Sequence, residues 1–411
     1  MKRISISIVI LCTCLASVAW AQQQAVLPHM GRHAKSVPPN FSTTTNASVS
    51  AHATQAQNVR VYDLGHYPGG TWAEPRDIND LGVVVGFGDV PPNGYTHPIG
   101  VPLFGPNGGN WFDLGTLGGE RTDDEVMCMG IAGTGMIVGH TAITGNYYVN
   151  AFAWTPKSGM VDIGTLVDRG DTFSLAFAVN KAGTLIVGWS ASAYYGPDSL
   201  PVVWTPKVTW GGPTTTWNIH KLDTEGFDGV SWYSATAVNN LGQIIGEATN
   251  SDGVEIAVLW NPDPVRGWKI MQLPVTPDYP NAYPSDLNNK GEIVGYVAAP
   301  DYSTWFPALW KPVGPRRSAY NLTQLTSLTG SQQGGAEANG INDPGDIVGD
   351  SYDANGNDIA TLWRTRDPNS IEVLGFPGTW NFALKVNDNR VAAGAYGSDT
   401  IPENVAAVQF H

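Results

Sequence analysis

Short apolar runs separated by turn residues recur along the chain from about residue 59 to its end. They are rich in Val, Ile, Leu and aromatic residues, and clusters of Gly, Pro, Asn and Asp bound them. None of the runs has the 3.6-residue period of an amphipathic helix. The pattern predicts an all-β fold of short strands joined by tight turns.

Three sequence markers recur in the same order and divide the chain into seven repeats. The segment Asn-x-x-Gly-x-Ile-Val-Gly ends at Gly86, Gly139, Gly188, Gly246, Gly295, Gly349 and Gly394. Its first residue is Asn79, Ala132, Asn180, Asn239, Asn288, Asn342 and Asn387. An aromatic residue follows each glycine: Phe104, Trp154, Trp204, Trp260, Trp310, Trp363 and Phe410. A Leu or Ile from an Asp-Leu-Gly-like segment precedes each Asn: Leu64, Leu114, Ile163, Leu222, Leu273, Leu325 and Leu374. Such self-similarity indicates stacked units of one supersecondary motif.

Each repeat holds four strand candidates, A to D. Strand A runs into the Asn, strand B is the Ile-Val-Gly segment, strand C ends in the aromatic residue and strand D carries Asp-Leu-Gly. Four strands per repeat predict a seven-bladed β-propeller of four-stranded antiparallel blades over residues 59–411. The chain enters at a lone D strand, residues 59–65, and the seventh repeat lacks one. We therefore expect the N-terminal strand to complete the last blade, which closes the ring and protects two strand edges.

The repeat resembles the HAF-type extracellular repeat of bacterial proteins. The similarity rests on Asp-Leu-Gly-Thr-Leu-Gly-Gly at residues 113–119, on the Ile-Asn-x-x-Gly-x-Ile-Val-Gly segment at 341–349 and on Asn-Ala-Phe-Ala-Trp at 150–154. The His-Ala-Phe that names the repeat is Asn-Ala-Phe in this chain. The resemblance implies an exported repeat protein, and it brings no catalytic residues.

The N-terminal region predicts export. Lys2 and Arg3 precede an apolar run and the small-residue triplet Ala19-Trp20-Ala21, as in a cleaved signal peptide over residues 1–21. The Cys at position 14 resembles a lipoprotein site only superficially, because Thr13 is a poor residue before a lipidated Cys. Residues 22–58 are rich in Gln, Ser, Thr and Asn, which predicts a disordered tether. We expect an extracellular or periplasmic protein, a monomer, with no membrane-spanning segment.

Net charge limits the class of binding partner, and the cysteine count limits the possible disulfides. Cleavage would remove two of the 22 basic residues and none of the 36 acidic ones, leaving a net charge of −16. Nucleic acid is therefore not an expected partner. Cys128 alone would remain, in an apolar run, so an internal disulfide is excluded and a buried inert thiol is expected.

Neither a catalytic motif nor a metal or cofactor site stands out. Residues 353–358, Asp-Ala-Asn-Gly-Asn-Asp, look like part of a calcium loop, but they occupy a B to C connection where an Asx-Gly turn explains them. No nucleophile elbow, His-Glu-x-x-His motif or phosphate-binding glycine loop occurs.

The D to A and B to C connections share one end of the ring, which we call the loop face. It carries many aromatic residues, and Trp72, Trp232, Trp305 and Trp380 are the predicted ligand contacts because they lie outside the repeated strand C position. Acidic residues share this face: Glu120, Asp123, Asp124, Glu125, Asp168, Asp171, Asp223, Glu225 and Asp228. The leading hypothesis is a non-enzymatic binding or scaffold protein that holds a carbohydrate or protein on this face. The alternative is a carbohydrate-active hydrolase or lyase that uses carboxylates there.

Overall fold

A computed structural model describes residues 53–56, 58–120, 127–145, 148–193, 198–207, 216–225, 227, 232–330, 334–398 and 400–411. The predicted signal peptide and most of the predicted tether lie outside these ranges. Two short 3-10 turns, Val167–Arg169 and Pro315–Arg317, are the helical segments of this described part, which otherwise consists of strands and their connections.

The described residues form seven sheets, one for each repeat, as predicted. Blade 1 consists of β3 (Ala73–Ile78), β4 (Val83–Val90), β5 (Tyr95–Pro102) and β6 (Phe112–Asp113). Blade 2 consists of β7 (Met127–Ile131), β8 (Ile137–Ala142), β9 (Val149–Thr155) and β10 (Gly159–Asp162). Blade 3 consists of β11 (Phe173–Val179), β12 (Ile186–Ala191), β13 (Leu200–Pro206) and β14 (Trp217–Lys221). Blade 4 consists of β15 (Trp232–Val238), β16 (Ile244–Thr249), β17 (Glu255–Asp263) and β18 (Gly267–Gln272).

The remaining blades follow the same antiparallel order, with strand A innermost. Blade 5 consists of β19 (Asn281–Leu287), β20 (Ile293–Ala298), β21 (Trp305–Val313) and β22 (Ala319–Gln324). Blade 6 consists of β23 (Ala336–Ile341), β24 (Asp346–Tyr352), β25 (Asp358–Arg364) and β26 (Asp367–Val373). Blade 7 consists of β27 (Trp380–Val386), β28 (Val391–Gly397), β29 (Asn404–Gln409) and β2 (Arg60–Gly65). The innermost strands contact one another in sequence, and β27 contacts β3.

The N-terminal strand closes the ring. Strand β2 pairs antiparallel with β29, and Arg60 lies opposite Gln409. The outermost strand of the last blade therefore comes from the start of the propeller sequence, as predicted. One feature differs from the prediction, because residues 53–55, assigned to the tether, form β1 (Ala53–Gln55). This strand pairs parallel with β26 and gives blade 6 a fifth strand.

The last glycine of the repeat segment lies within strand B and not in a turn. In all seven blades the A–B pairing shifts register at a β-bulge opposite this position. At Gly246 a Cβ atom would stand 1.9 Å from the backbone oxygen of Ser234, so no side chain fits. The first glycine of the segment does serve the turn, since Gly242 has φ +76°. The two glycines of the motif thus serve different purposes.

The Asn of the repeat joins neighbouring blades as well as stabilising its own turn. The Asn239 side-chain oxygen accepts the backbone N–H groups of Leu241 and Gln243. Its side-chain NH₂ donates to the backbone oxygen of Asn288 in the next blade, at 2.9 Å. Equivalent inter-blade bonds start from Asn79, Asn288, Asn342 and Asn387.

Large aromatic residues fill the space between blades. The strand C residues Trp204, Trp260, Trp310 and Trp363 are fully buried. The indole N–H of Trp310 donates to the backbone oxygen of Pro274 in the preceding blade, and the other three make the same kind of bond. The strand C tryptophan therefore has a structural role between adjacent blades. Cys128 is fully buried, and burial raises the pKa of its thiol.

Candidate functional site

The end of the ring opposite the loop face, which we call the turn face, is closed at its centre by ion pairs. Lys181, in the A–B turn of blade 3, reaches across the axis to Asp388, Asp80 (3.5 Å) and Asp343 (4.0 Å), in blades 7, 1 and 6. Burial opposes the charge of Lys181, but the hydrogen bond to Asp388 and the three carboxylates raise its pKa. The same turns bond around the ring, since the N–H of Asp343 donates to Asp388 and that of Asp388 to Asp80. Charged side chains that bond to one another therefore occupy the centre of the turn face.

A second charged layer lies deeper along the innermost strands. Lys385 in β27 and Asp286 in β19 form an ion pair at 3.0 Å. Burial raises the pKa of Asp77 in β3 to about 6, against the lowering effect of the Lys385 charge. Asp77 and Asp286 each accept one backbone N–H group from their own blade and one from the next blade around the ring. These two carboxylates therefore join neighbouring blades by hydrogen bonds and have a structural role.

The four predicted ligand contacts all lie at the loop-face ends of strands. Trp232 and Trp380 begin the A strands β15 and β27, Trp305 begins the C strand β21, and Trp72 directly precedes the A strand β3. Trp72, Trp232 and Trp380 share one repeat position, three residues before the strand A residue opposite the repeat glycine. The expectation that all four lie in connections is therefore wrong for three of them, because strands A and C begin earlier than the apolar pattern indicates.

The described tryptophan rings are half-buried and rest on other aromatic rings. Trp72 meets Phe87 edge-on at 5.5 Å between ring centroids, and Trp380 stacks on Phe382 at 6.3 Å. Trp305 meets Tyr352 of the next blade edge-on at 5.8 Å. The side chain of Trp232 lies outside the described part of the structure. Each described ring contacts another aromatic ring, and each of the three residues keeps partial exposure.

The acidic residues singled out in the loops are largely engaged in pairs. Asp171 is buried, accepts the Ser190 hydroxyl at 2.7 Å and pairs with Arg169 at 3.3 Å. Asp223 and Glu225 both pair with Arg266. Asp168 is exposed in a 3-10 turn. Asp123, Asp124, Glu125 and Asp228 lie outside the described residues.

A different carboxyl pair, Glu247 and Glu255, lies at the loop-face end of blade 4. Glu247 in β16 is opposite Ala257 in β17, and Glu255 is two residues away on the same side of the sheet. Side chains in this diagonal arrangement are within reach of one another. Their residues are 3% and 4% exposed. Burial, followed by the charge of Glu255, raises the pKa of Glu247 to about 8, and burial raises that of Glu255 to about 7. The pair therefore holds protons near neutral pH.

Blade 5 adds phenol groups to this pair. The Tyr283 and Tyr302 hydroxyls are 3.0 Å apart, and Tyr283 stacks on Tyr296 at 4.5 Å between ring centroids. Burial, and then the charge of Glu255, raises the pKa of Tyr283, to which the Tyr302 bond and Glu247 also contribute. The Thr249 hydroxyl donates to both oxygens of Glu255 at 3.0 Å. Two carboxyls and two phenols thus lie close enough to influence one another.

Blade 6 repeats the carboxyl pair at the equivalent positions. Asp350 lies opposite Ala360, and Asp358 is again two residues away on the same side of the sheet. Burial, followed by the charges of Glu337 and Asp358, raises the pKa of Asp350. Burial, followed by the charges of Glu337 and Asp353, raises the pKa of Asp358 to about 7. At the corresponding positions, blade 5 carries Tyr296 and Trp305. Aromatic side chains therefore stand between two acidic pairs around the ring.

These carboxyls follow from a sequence signal that the loop-based reasoning missed. In Ile-Ile-Gly-Glu-Ala (244–248) and Ile-Val-Gly-Asp-Ser (347–351), an acidic residue directly follows the repeat glycine inside an apolar strand. An ionisable residue at a position that other repeats fill with Phe87 or Trp189 is a candidate for function, because burial of a charge is costly. In the described part of the chain, no group of three or more His, Cys, Asp or Glu residues is placed to hold a metal ion. No helix there is long and apolar enough to cross a membrane.

Comparison with known proteins gives similarity at the level of the fold. No protein-family model and no curated protein matches the chain. Among solved structures, the chain is similar to Trypanosoma rangeli sialidase in complex with sialic acid (12% identity, TM-score 0.42) and covers 59% of that chain with 87% of its own. It is similar to prolyl oligopeptidase B of Galerina marginata (9% identity, TM-score 0.46), with 80% of its length and 44% of that chain covered.

A third similar structure is the fucose-recognising lectin of Aleuria aurantia, described as a six-bladed β-propeller. The identity is 13%, the TM-score is 0.36, and the match covers 78% of this chain and all of the lectin chain. The chain spans less than two thirds of the sialidase and of the oligopeptidase. With these identities and TM-scores, the similarities say nothing about the ligand or activity of this protein.

Proposed function

We propose that this propeller is an exported, non-enzymatic binding protein that holds a carbohydrate on its loop face. The observation that supports the proposal best is the combination of half-buried aromatic rings with carboxyl groups that hold protons, at the loop-face ends of the strands. A protonated carboxyl group both donates and accepts hydrogen bonds, as sugar hydroxyls require. Flat aromatic rings supply apolar surface beside these polar groups, a combination common in ligand sites.

Two further observations support the choice of face and of ligand. Lys181 and its three carboxylates occupy the centre of the turn face, which supports the choice of the loop face for the ligand. A mature chain with a net charge of −16 would repel polyanions, which favours neutral or weakly basic ligands. Export is proposed from the N-terminal sequence and from the resemblance to the HAF-type repeat.

A glycan array probed with residues 22–411 tests the proposal, followed by titration of the best ligand. The variant with Trp72, Trp232, Trp305 and Trp380 all replaced by Ala should lose binding while its circular dichroism spectrum is kept. Trp154→Ala is the matched control, because Trp154 is also half-buried and stacks on an aromatic ring, Phe112, but ends a C strand at the turn face. Undiminished binding by the quadruple variant, or loss of binding in the control, would contradict the proposed site. If the protein binds no glycan but binds another protein, the ligand class is protein and not carbohydrate.

A second candidate function, hydrolysis or elimination at a glycosidic bond, is favoured by one observation. Glu247 holds its proton to about pH 8 and could act as a general acid beside Glu255. Turnover assays on the array ligands, with and without Glu247→Gln, separate the two functions. Product formation that the substitution abolishes would establish the enzyme, whereas binding without any product supports the binding protein.

A further inference from the structure

Glu247 is a buried carboxylic acid. Its residue is 3% exposed, and no hydrogen bond from a described residue contributes to the pKa of its carboxyl group, which burial and the charge of Glu255 raise. A buried polar group without a partner lowers stability, because it gives up the hydrogen bonds that water supplies in the unfolded chain. A position that tolerates this cost is a candidate for binding a group from outside the protein.

The two carboxyls lack a basic neighbour, unlike three other buried or half-buried acids of this protein. Asp171 pairs with Arg169, Asp286 with Lys385, and Asp346 with Arg364 and Arg390. Burial and the charge of Glu255 raise the pKa of Glu247, and burial raises that of Glu255 against the lowering effect of the Thr249 hydrogen bond, with no described Lys or Arg among the causes. A cation that donates several hydrogen bonds would satisfy both carboxyls at once.

We propose that Glu247, Glu255, Tyr283 and Tyr302 form an amine subsite that binds the protonated amino group of an amino sugar. The inference rests on the proposed carbohydrate-binding function and names its ligand class. An ammonium group fits because it offers three donors and a compact charge to two carboxyls and two phenol oxygens. A metal ion fits less well, since the described residues place no third acidic, His or Cys ligand there.

Tyr302 connects the amine subsite with solvent. It is 38% exposed, lies in the B–C turn of blade 5 and has φ +57°, a conformation that non-glycine residues rarely adopt. Its hydroxyl contacts Tyr283, whose ring is held by stacking on Tyr296. A sugar ring that approaches from the loop face would meet Tyr302 first and direct its amino group toward Glu255 and Glu247.

The test compares a glucosamine oligosaccharide with its fully N-acetylated counterpart, which has the same rings without the positive charge. Calorimetric titration at pH 6, where the sugar amino group carries its charge, should give at least about tenfold tighter binding of the amine form, as a charge-assisted hydrogen bond supplies. Binding should release protons, seen as a dependence of the heat on the buffer, because the ammonium group ionises a carboxyl. The affinity ratio should rise from about pH 5 to about pH 6.5, where the sugar amino group stays charged and binding releases a carboxyl proton, and should level off once the free amine is neutral.

Variants locate the effect. In the double variant Glu247→Gln with Glu255→Gln, the affinities for the amine form and the N-acetylated form should differ by no more than about twofold. If the double variant does not fold, the single variant Glu255→Gln is measured in its place. Asp301→Asn is the matched control, since this exposed carboxylate neighbours Tyr302 and should leave the ratio unchanged. A ratio near one in the unmodified protein, with good binding of the N-acetylated form, overturns the amine subsite and leaves the proposed function standing. If neither oligosaccharide binds, both the amine subsite and the proposed carbohydrate-binding function are overturned. If the affinity ratio is unchanged in the Gln variants, the amine is not bound by Glu247 and Glu255.

Discussion

The side-chain NH₂ group of Asn387, in the last blade, donates a hydrogen bond at 2.9 Å to the backbone oxygen of Asn79, in the first. The two residues are 308 positions apart in the chain, and they join the ring where β27 meets β3. The repeat Asn therefore acts at two levels, within its own turn and between blades.

Asn387→Ala should destabilise the protein by about 2 kcal/mol, because it removes this bond and the acceptor for the N–H groups of Asn389 and Val391. Asn180→Ala is the control. The Asn180 side-chain oxygen also accepts N–H groups of its own turn, but its NH₂ group bonds to Thr184 in the same blade. Denaturant unfolding should show a loss about 1 kcal/mol larger for Asn387→Ala. Equal losses would mean that the inter-blade bond contributes no more than the bond from Asn180 to Thr184 within one blade.

Deletion of residues 59–65 should lower the melting temperature sharply, because it removes β2 and exposes the edge of β29. Deletion of residues 22–50 should leave the melting temperature unchanged, since it spares both β1 and β2. Differential scanning calorimetry of the two truncations gives the comparison. Similar melting temperatures would show that ring closure by the N-terminal strand adds little stability.

Much of the fold could be predicted because the same short-range sequence signals occur in each of the seven repeats. The turn glycine Gly242, the apolar strand that follows it and the aromatic Trp260 lie within one repeat, and their order set both blade count and closure. Strand β1 could not be predicted, because Ala53-Thr54-Gln55 has no apolar pattern and pairs with a sheet edge far along the chain.

The candidate site was less accessible to sequence reasoning. The loop-face position of the four tryptophans followed from strand phase, but their ligand remains a prediction. Glu247 and Glu255 could not be singled out from loop composition, because they lie in the strands β16 and β17. Their protonation depends on burial in the assembled ring, which no single repeat encodes.

Lys181→Met should destabilise the ring, because it leaves Asp80, Asp343 and Asp388 together without their cation. Repulsion among partly exposed carboxylates is screened by salt, so the loss in melting temperature should shrink between 0.02 M and 1 M NaCl. Adding Asp388→Asn should recover part of the loss. Lys290→Met, in the equivalent region of blade 5, is the control, since the Lys290 ammonium group bonds to the Pro344 backbone oxygen. A salt-independent loss would contradict the electrostatic explanation.

The stability of the protein should fall as pH rises from about 4.5 to 8, in part through Glu247. In the unfolded chain this carboxyl ionises near its ordinary pKa of 4.5, whereas burial and Glu255 raise its pKa to about 8 in the folded protein. Below pH 4.5 both states hold the proton, so Glu247 makes no difference. Between these values the unfolded state binds fewer protons, so each rise in pH favours unfolding, and above about pH 8 the loss is complete. Its size is on the order of 2 to 5 kcal/mol.

Glu247→Gln removes this titration and should flatten the dependence of melting temperature on pH between 5 and 8. The variant should equal the unmodified protein near pH 5, where both carry a neutral side chain, and exceed it in melting temperature at pH 8. Asp301→Asn should keep the slope of the unmodified protein, because hydrogen bonds from Ser303 lower the pKa of this exposed carboxyl and it is already ionised throughout the range. Parallel melting curves for Glu247→Gln and the unmodified protein across pH 5 to 8 would mean that Glu247 is ionised in the fold, which would also remove the basis for its proton release on binding an amine.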